Sequence, residues 1–284
     1  MKVGIVGDAT RTVAWEKHLR PHGIVSQVNL VSSVSELGKV DACLILDDSI
    51  NNLDKLLQAV QEGYNCFLIS KQPTDIKKLE KIHRATKESG VKVQFSHWPT
   101  LAPATQWMMD KMQRPQILHS TRYIQRSSLI DPSIEFKHLW IDELGLCLKW
   151  INTGVHHIEA QSVYLNKDNP VSFHLFVRFD NGSTASIFIY ATSQEPKHQR
   201  LACTKSDVLD CDIPSQTIRN GRLNEGDHLF FGKHAFDPAQ AAEKAALLFL
   251  KSIQLNSETA YSSYDAIQLA TQIEKVEQRL TLFS

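Results

Sequence analysis

Apolar and polar positions along the first third of the chain change over in short bursts. Strand-like apolar runs occur at Lys2–Val6, 24–31, Ala42–Leu46, Cys66–Ile69 and 92–95. Between the later runs lie two amphipathic patterns at helical spacing, 53–62 closed by Gly63 and 75–89 closed by Gly90. Glycine just past the last periodic residue is a helix stop, because only glycine enters the left-handed region at little cost. Short apolar strands alternating with helices predict a parallel, doubly wound sheet. Between Val31 and Val40 the sequence offers only SSVSELGK, too short for a full connecting helix.

The pattern changes after Phe95. His97-Trp98-Pro99 and Pro103 mark a junction, followed by a short helix over 104–112 and an alternating strand over 117–126. Asp131-Pro132 predicts a turn, and 141–165 predicts one long helix with Asp142 as its cap. Asp180-Asn181-Gly182 then separates two alternating runs, 171–179 and 183–192, which is a strong hairpin signal. Two short strands (200–204 and 207–213) and two amphipathic helices (238–254 and 264–282) complete the reading. The expected architecture is α/β: a parallel sheet over 1–100, then an α+β domain over 101–284 with a mainly antiparallel sheet, the last helices free to pack back on the first domain. Phe173, Leu175, Val177 and Phe179 share one strand face, while Phe176 lies on the other. The first face should pack on the 141–165 helix, and the second, at Phe176 and Tyr190, on a second subunit.

Charge narrows the function classes. Lys+Arg and Asp+Glu both total 31, so no net field favours nucleic acid or an anionic membrane. No apolar stretch is long enough to span a bilayer, and the N-terminus lacks a signal-peptide pattern. The five cysteines are scattered without C-x-x-C spacing and read as reduced core residues of a cytoplasmic protein. His156-His157 lacks metal-ligand spacing, so no metal is expected.

The first strand ends in Gly7, then a polar turn and a helix, as a dinucleotide-binding βαβ unit begins. With Gly7 as the first glycine of G-x-G-x-x-G, Ala9 holds the second position and Thr12 the third. The second glycine admits a pyrophosphate and the third admits close helix packing. The Rossmann-type strand–turn–helix pattern is therefore present while its phosphate fingerprint is altered.

Several segments in this order resemble the glucose-fructose oxidoreductase/inositol dehydrogenase (Gfo/Idh/MocA) family. They are VGIVG, VDACLILDD, EGYNCFLISKQP, INTGVHHIEA, FDNGS and SSYDAIQLATQIEKV, which together cover nearly the whole chain. The resemblance implies an N-terminal Rossmann domain, a C-terminal domain with an open sheet, a bound NAD or NADP, and a homodimer or homotetramer. It also implies redox chemistry on a small sugar, polyol or related carbonyl compound.

Carried over residue by residue, that motif places Gln72 where the family has a catalytic lysine, and Lys71 one position earlier. A lysine favours a developing alkoxide, whereas glutamine is only a neutral donor. Lys71 would need a backbone shift to substitute, and reads equally as a surface lysine. His156 falls on the family's histidine and Asn152 on its acid; four residues apart in a helix, they would share a face. His156 would be the acid/base, with Asn152 and Gln72 as positioning groups. Gly7, Asp8, Ala9, Thr10 and Arg11 would cradle the phosphates. Asp47, with Asp48, would either bind ribose hydroxyls or repel a pyrophosphate. Trp98 would lie near the nicotinamide or simply pack in the core. Ser32 or Ser33 with Arg11 could meet a 2′-phosphate, or form a plain loop. Two functions follow: an NAD(P)-dependent oxidoreductase, or a catalytically silent binding or assembly scaffold with weak or absent cofactor binding.

Overall fold

A computed structural model describes residues 1–125, 132–165, 170–192, 195–223, 226 and 228–282. Arg126 and the turn expected at Asp131 lie outside the described residues. The chain divides into two compact units: Met1–Leu101 with Ala239–Ala270, and Ala102–Pro238 with Thr271–Ser284.

The first unit is a five-stranded parallel sheet in the order β2-β1-β3-β4-β5. Its strands are β1 (Lys2–Val6), β2 (Gln27–Val31), β3 (Ala42–Leu46), β4 (Cys66–Ile69) and β5 (Val93–Phe95). Alternation along each strand splits the core in two. On one face Val6, Ile45 and Leu68 pack with Leu56 of α2 (Asn52–Gln61) and Ile82 of α3 (Ile76–Ser89). On the other, Ile5, Leu44 and Phe67 pack with Leu19 of α1 (Ala9–Leu19) and with Phe249 and Leu250 of α7 (Ala241–Gln254). Gly63 and Gly90 take positive φ after α2 and α3, as their positions predicted. Only a single 3-10 turn, Val34–Glu36, links β2 towards β3.

The second unit holds an eight-stranded sheet, β13-β12-β11-β10-β6-β9-β8-β7, in which only β6 and β9 run parallel. Its members are β6 (Ile117–Tyr123), β7 (Val155–Tyr164), β8 (Pro170–Phe179), β9 (Thr184–Tyr190), β10 (Lys197–Cys203), β11 (Asp207–Asp212), β12 (Thr217–Leu223) and β13 (Leu229–Ala235). Short helices α4 (Trp98–Leu101) and α5 (Pro103–Lys111) fall either side of the unit boundary. α6 is Pro132–Ile151, and α8 (Ser263–Leu282) crosses from one unit's residues to the other's. The buried face of β8 and β9 lies under α6, where Trp140 stacks on Phe173 at 5.3 Å. Phe176 and Tyr190 emerge on the opposite, exposed face.

The single helix expected over 141–165 is corrected by the structure. α6 stops at Ile151, Asn152 takes a left-handed backbone (φ 50°), and the chain re-enters as β7. Asparagine tolerates that conformation better than most residues, so it can terminate the helix. Asp142 is accordingly mid-helix and caps nothing. Two further strands, β12 and β13, were not anticipated. Only Ile218 is buried on β12 and no residue is buried on β13, so the sheet's exposed end has no apolar alternation to signal it.

Candidate functional site

The C-terminal ends of the parallel strands bring together most of the residues expected to hold a dinucleotide. Gly7 is required by packing: a Cβ there would lie 3.0 Å from Leu46 Cβ and 3.1 Å from the Leu46 carbonyl oxygen. Thr12, at the third glycine position, is buried, and its hydroxyl donates to the Ala9 carbonyl at 3.1 Å. The threonine thus fills the space that a glycine would leave for helix and strand to approach.

One amide of the helix N-terminus is already served from within the chain. The Asp8 side chain accepts from the Arg11 amide at 2.9 Å, an N-cap that places a carboxylate where a phosphate would be drawn. The Arg11 guanidinium lies 3.0 Å from Asp48, and Asp48 also accepts from the Lys71 amide at 3.2 Å. Asp47 is bound by Lys55 at 2.6 Å and by the Ser49 amide at 2.8 Å. Burial pushes the Asp47 carboxyl up, but Lys55 and Ser49 outweigh it and hold the group below its ordinary value. Three carboxylates (Asp8, Asp47, Asp48) therefore stand with three cations (Arg11, Lys55, Lys71) in this region. Thr10, on the first turn of α1, is exposed.

The ribose end is likewise occupied. Ser32 donates from its amide and hydroxyl to Glu36 at 3.0–3.1 Å, which draws the Glu36 carboxyl below its usual range. The arrangement of Ser32 with Arg11 considered for a 2′-phosphate is not formed, since Arg11 is held by Asp48 and Ser32 by Glu36. Trp98 stacks on Trp15 at 6.3 Å and is half-exposed, while His97 is buried, stacked on Tyr261 at 4.3 Å. Gln72 follows β4 with a buried Oε1 that finds no hydrogen-bond donor, and Lys71 is exposed. As arranged here, the residues do not offer a ready pyrophosphate site: the Arg11 amide is taken by Asp8 and the Arg11 guanidinium by Asp48.

In the second unit, Asn152 and His156 do not share a helical face. Asn152 ends α6 and His156 stands on β7; both are exposed. His156 Nδ1 is 3.7 Å from Asp180 Oδ1 of the β8–β9 hairpin. Gly154 makes room for that aspartate, because a Cβ there would collide with Asp180 Oδ2. His157 bonds Glu159 at 2.8 Å along the same strand.

The strongest electrostatic arrangement among the described residues escaped sequence reasoning. Glu143 of α6 is buried and accepts from Arg200 through both oxygens, at 2.9 and 2.6 Å. His198 Nε2 reaches the same carboxylate at 2.9 Å, and Arg200 also donates to Thr105 of α5 at 3.0 Å. Burial alone would raise Glu143, yet Arg200 and His198 hold it well below the carboxylate range. Its neighbour Asp142 goes the other way: burial first, then the Glu143 charge, push it up to about 7 against the pull of Arg122 and Arg200. The available signal was an acidic pair interrupting the apolar run Trp140-Ile141 to Leu146. The network ties α5, α6 and β10 together as an ion-pair core.

The Asp142 shift has a testable sign. A carboxyl whose folded pKa is raised contributes stability in full below the unfolded value of 3.8, and loses it as pH rises through about 7. Asp142→Asn is expected to stabilise the protein by about 1–2 kcal/mol at pH 8, discounted for partial exposure, and by less at pH 5. Denaturant unfolding at the two pH values checks this; an equal or reversed gap counts against it.

A scan against protein-family models gives no match, and neither does a sequence search of curated proteins. Solved structures do match in fold. UDP-N-acetylglucosamine 3-dehydrogenase GnnA from Acidithiobacillus ferrooxidans aligns with a TM-score of 0.79 at 18% identity, covering 100% of this chain and 98% of that one. An NAD binding oxidoreductase from Klebsiella pneumoniae gives 0.80 at 11% identity over 99% and 96% of the chains. Levoglucosan dehydrogenase in complex with NADH gives 0.76 at 10% identity over 100% and 98%. The chain shares the fold of these dehydrogenases from end to end.

Proposed function

We propose that this chain uses a dehydrogenase architecture as a non-redox binding or assembly subunit, with weak or no affinity for NAD or NADP. The observation that carries the reading is the Asp8 carboxylate on the Arg11 amide, backed by the Arg11–Asp48 ion pair. A pyrophosphate entering there would have to displace one carboxylate and lie beside a second, with the Arg11 guanidinium already committed to Asp48. The expected partner is a second copy of the chain through the exposed face bearing Phe176 and Tyr190, giving a homodimer or homotetramer. Neither nucleic acid nor membrane is an expected partner.

The paired Trp15 and Trp98 supply the test. Titration with NADH or NADPH should leave their fluorescence unchanged below roughly millimolar cofactor. Light scattering of the same sample should report a dimer or tetramer. Low-micromolar quenching would overturn the proposal.

The end-to-end fold shared with dehydrogenases favours a second reading, an NAD(P)-dependent oxidoreductase of a small sugar, polyol or carbonyl compound. In that case His156 serves as acid/base, Asn152 and Gln72 are positioning groups, and Gln72, with Lys71 beside it, stands in the catalytic lysine's place. His156→Ala would then cut turnover by roughly two to four orders of magnitude without changing cofactor affinity.

A further inference from the structure

The exposed face of the eight-stranded sheet carries, at its β10–β13 end, a cavity of about 180 Å³. Strand register explains its chemistry. Asp210 of β11 is directly opposite Arg219 of β12, which is opposite Lys233 of β13. One step along, Asp212 lies between Gln199 of β10 and Thr217 of β12. Alternation turns all of these side chains to one side, and every residue lining the cavity is polar.

The charges are sorted by strand: both carboxylates stand on β11, and both cations on β12 and β13. Yet Asp210, Arg219 and Lys233 make no side-chain hydrogen bond or ion pair among the described residues, although Asp210 and Arg219 are cross-strand neighbours. Asp212 is steadied by the Ser215 hydroxyl, which donates to Oδ2. A half-buried carboxylate and two nearby cations without partners leave ion-pairing capacity that a complementary ligand would fill.

We propose that this cavity binds a small zwitterion, its ammonium on Asp210 and Asp212 and its carboxylate on Arg219 and Lys233. From the acidic row on β11, Arg219 is one strand away and Lys233 two, about 4.8 and about 9.6 Å at the backbone, which suits charges separated by several bonds, as in an ω-amino acid. A lone anion would face both aspartates, and a lone cation both bases. A neutral polyol would leave all four charges unanswered. The site lies wholly in the second unit, at the β10–β13 end of the face whose β8–β9 end carries Phe176 and Tyr190, and it requires that the proposed second copy cover only the latter end.

Calorimetric titration of the full chain with 4-aminobutanoate tests this, with butanoate, butylamine and erythritol as controls. The zwitterion should bind at sub-millimolar concentration and roughly tenfold or more tighter than any control. Arg219→Gln and Asp210→Asn, both at positions without side-chain partners, should each weaken it by roughly tenfold while leaving the circular dichroism unchanged. The proposal is overturned if no heat appears up to roughly 10 mM, or if a control binds as well as the zwitterion. A dimer that closes this face, recognised by dissociation of Arg219→Glu and no zwitterion binding, overturns it too.

Discussion

Glu143→Ala should cost about 3–5 kcal/mol of stability and lower the melting temperature by on the order of ten degrees. The carboxylate is buried and satisfies Arg200 in bidentate fashion as well as His198. Removing it strands a guanidinium with only Thr105 as partner, a far larger penalty than losing an exposed pair. Glu143→Gln, which keeps the shape but not the charge, should fall nearly as far. Replacing Glu143 and Arg200 together by leucine and methionine should recover much of the loss, since apolar residues of similar volume carry no desolvation cost. Urea unfolding measures all three; a loss below about 1 kcal/mol for Glu143→Ala would show that the network is not a stabilising core.

The second large effect is a gain. Asp8→Ser with Asp48→Asn should tighten NADH binding by roughly tenfold or more, about 1.4 kcal/mol. Serine still caps α1, so the helix persists, while the competing carboxylate is gone and Arg11 is released from its pair. Adding Ala9→Gly should improve the approach of the pyrophosphate further. Unchanged binding in the double variant would mean that the two carboxylates are not what keeps the dinucleotide out. Fluorescence of Trp15 and Trp98 reads the titration directly.

What the sequence made legible follows from where burial is one-sided or complete. The strands β1, β3 and β4 are buried along nearly their full length, so their apolar runs announced both position and type. Gly63, Gly90 and Gly182 of the β8–β9 turn were equally readable, because their positive φ excludes most other residues. β7 was lost inside a helical pattern since Ile151, Val155 and Ile158 continue a helix-like spacing past Asn152. The left-handed asparagine followed by Gly154 was the stop signal that outweighed it. The substitutions Ala9, Thr12 and Gln72 showed which functional groups were missing. They could not show that Asp48 pairs with Arg11, because that depends on one strand end meeting a helix from a distant segment. The Arg200–Glu143 pair is likewise nonlocal, joining positions 57 residues apart.

The first unit's core also sets an order of synthesis. Val3, Ile5 and Phe67 are covered in part by Ala245, Ala246, Phe249 and Leu250, and Phe95 shares its cluster with Tyr261 and Ala266. A ribosome therefore releases the whole parallel sheet long before the segments that seal it. Until residues 239–270 emerge, one apolar side of that sheet stays open to chaperones and to other nascent chains. Closing it means joining segments more than a hundred residues apart, a high-contact-order step that slows folding. Ribosome stalling or truncation upstream of α7 would thus yield an aggregation-prone intermediate, even though every strand of the sheet had already been made.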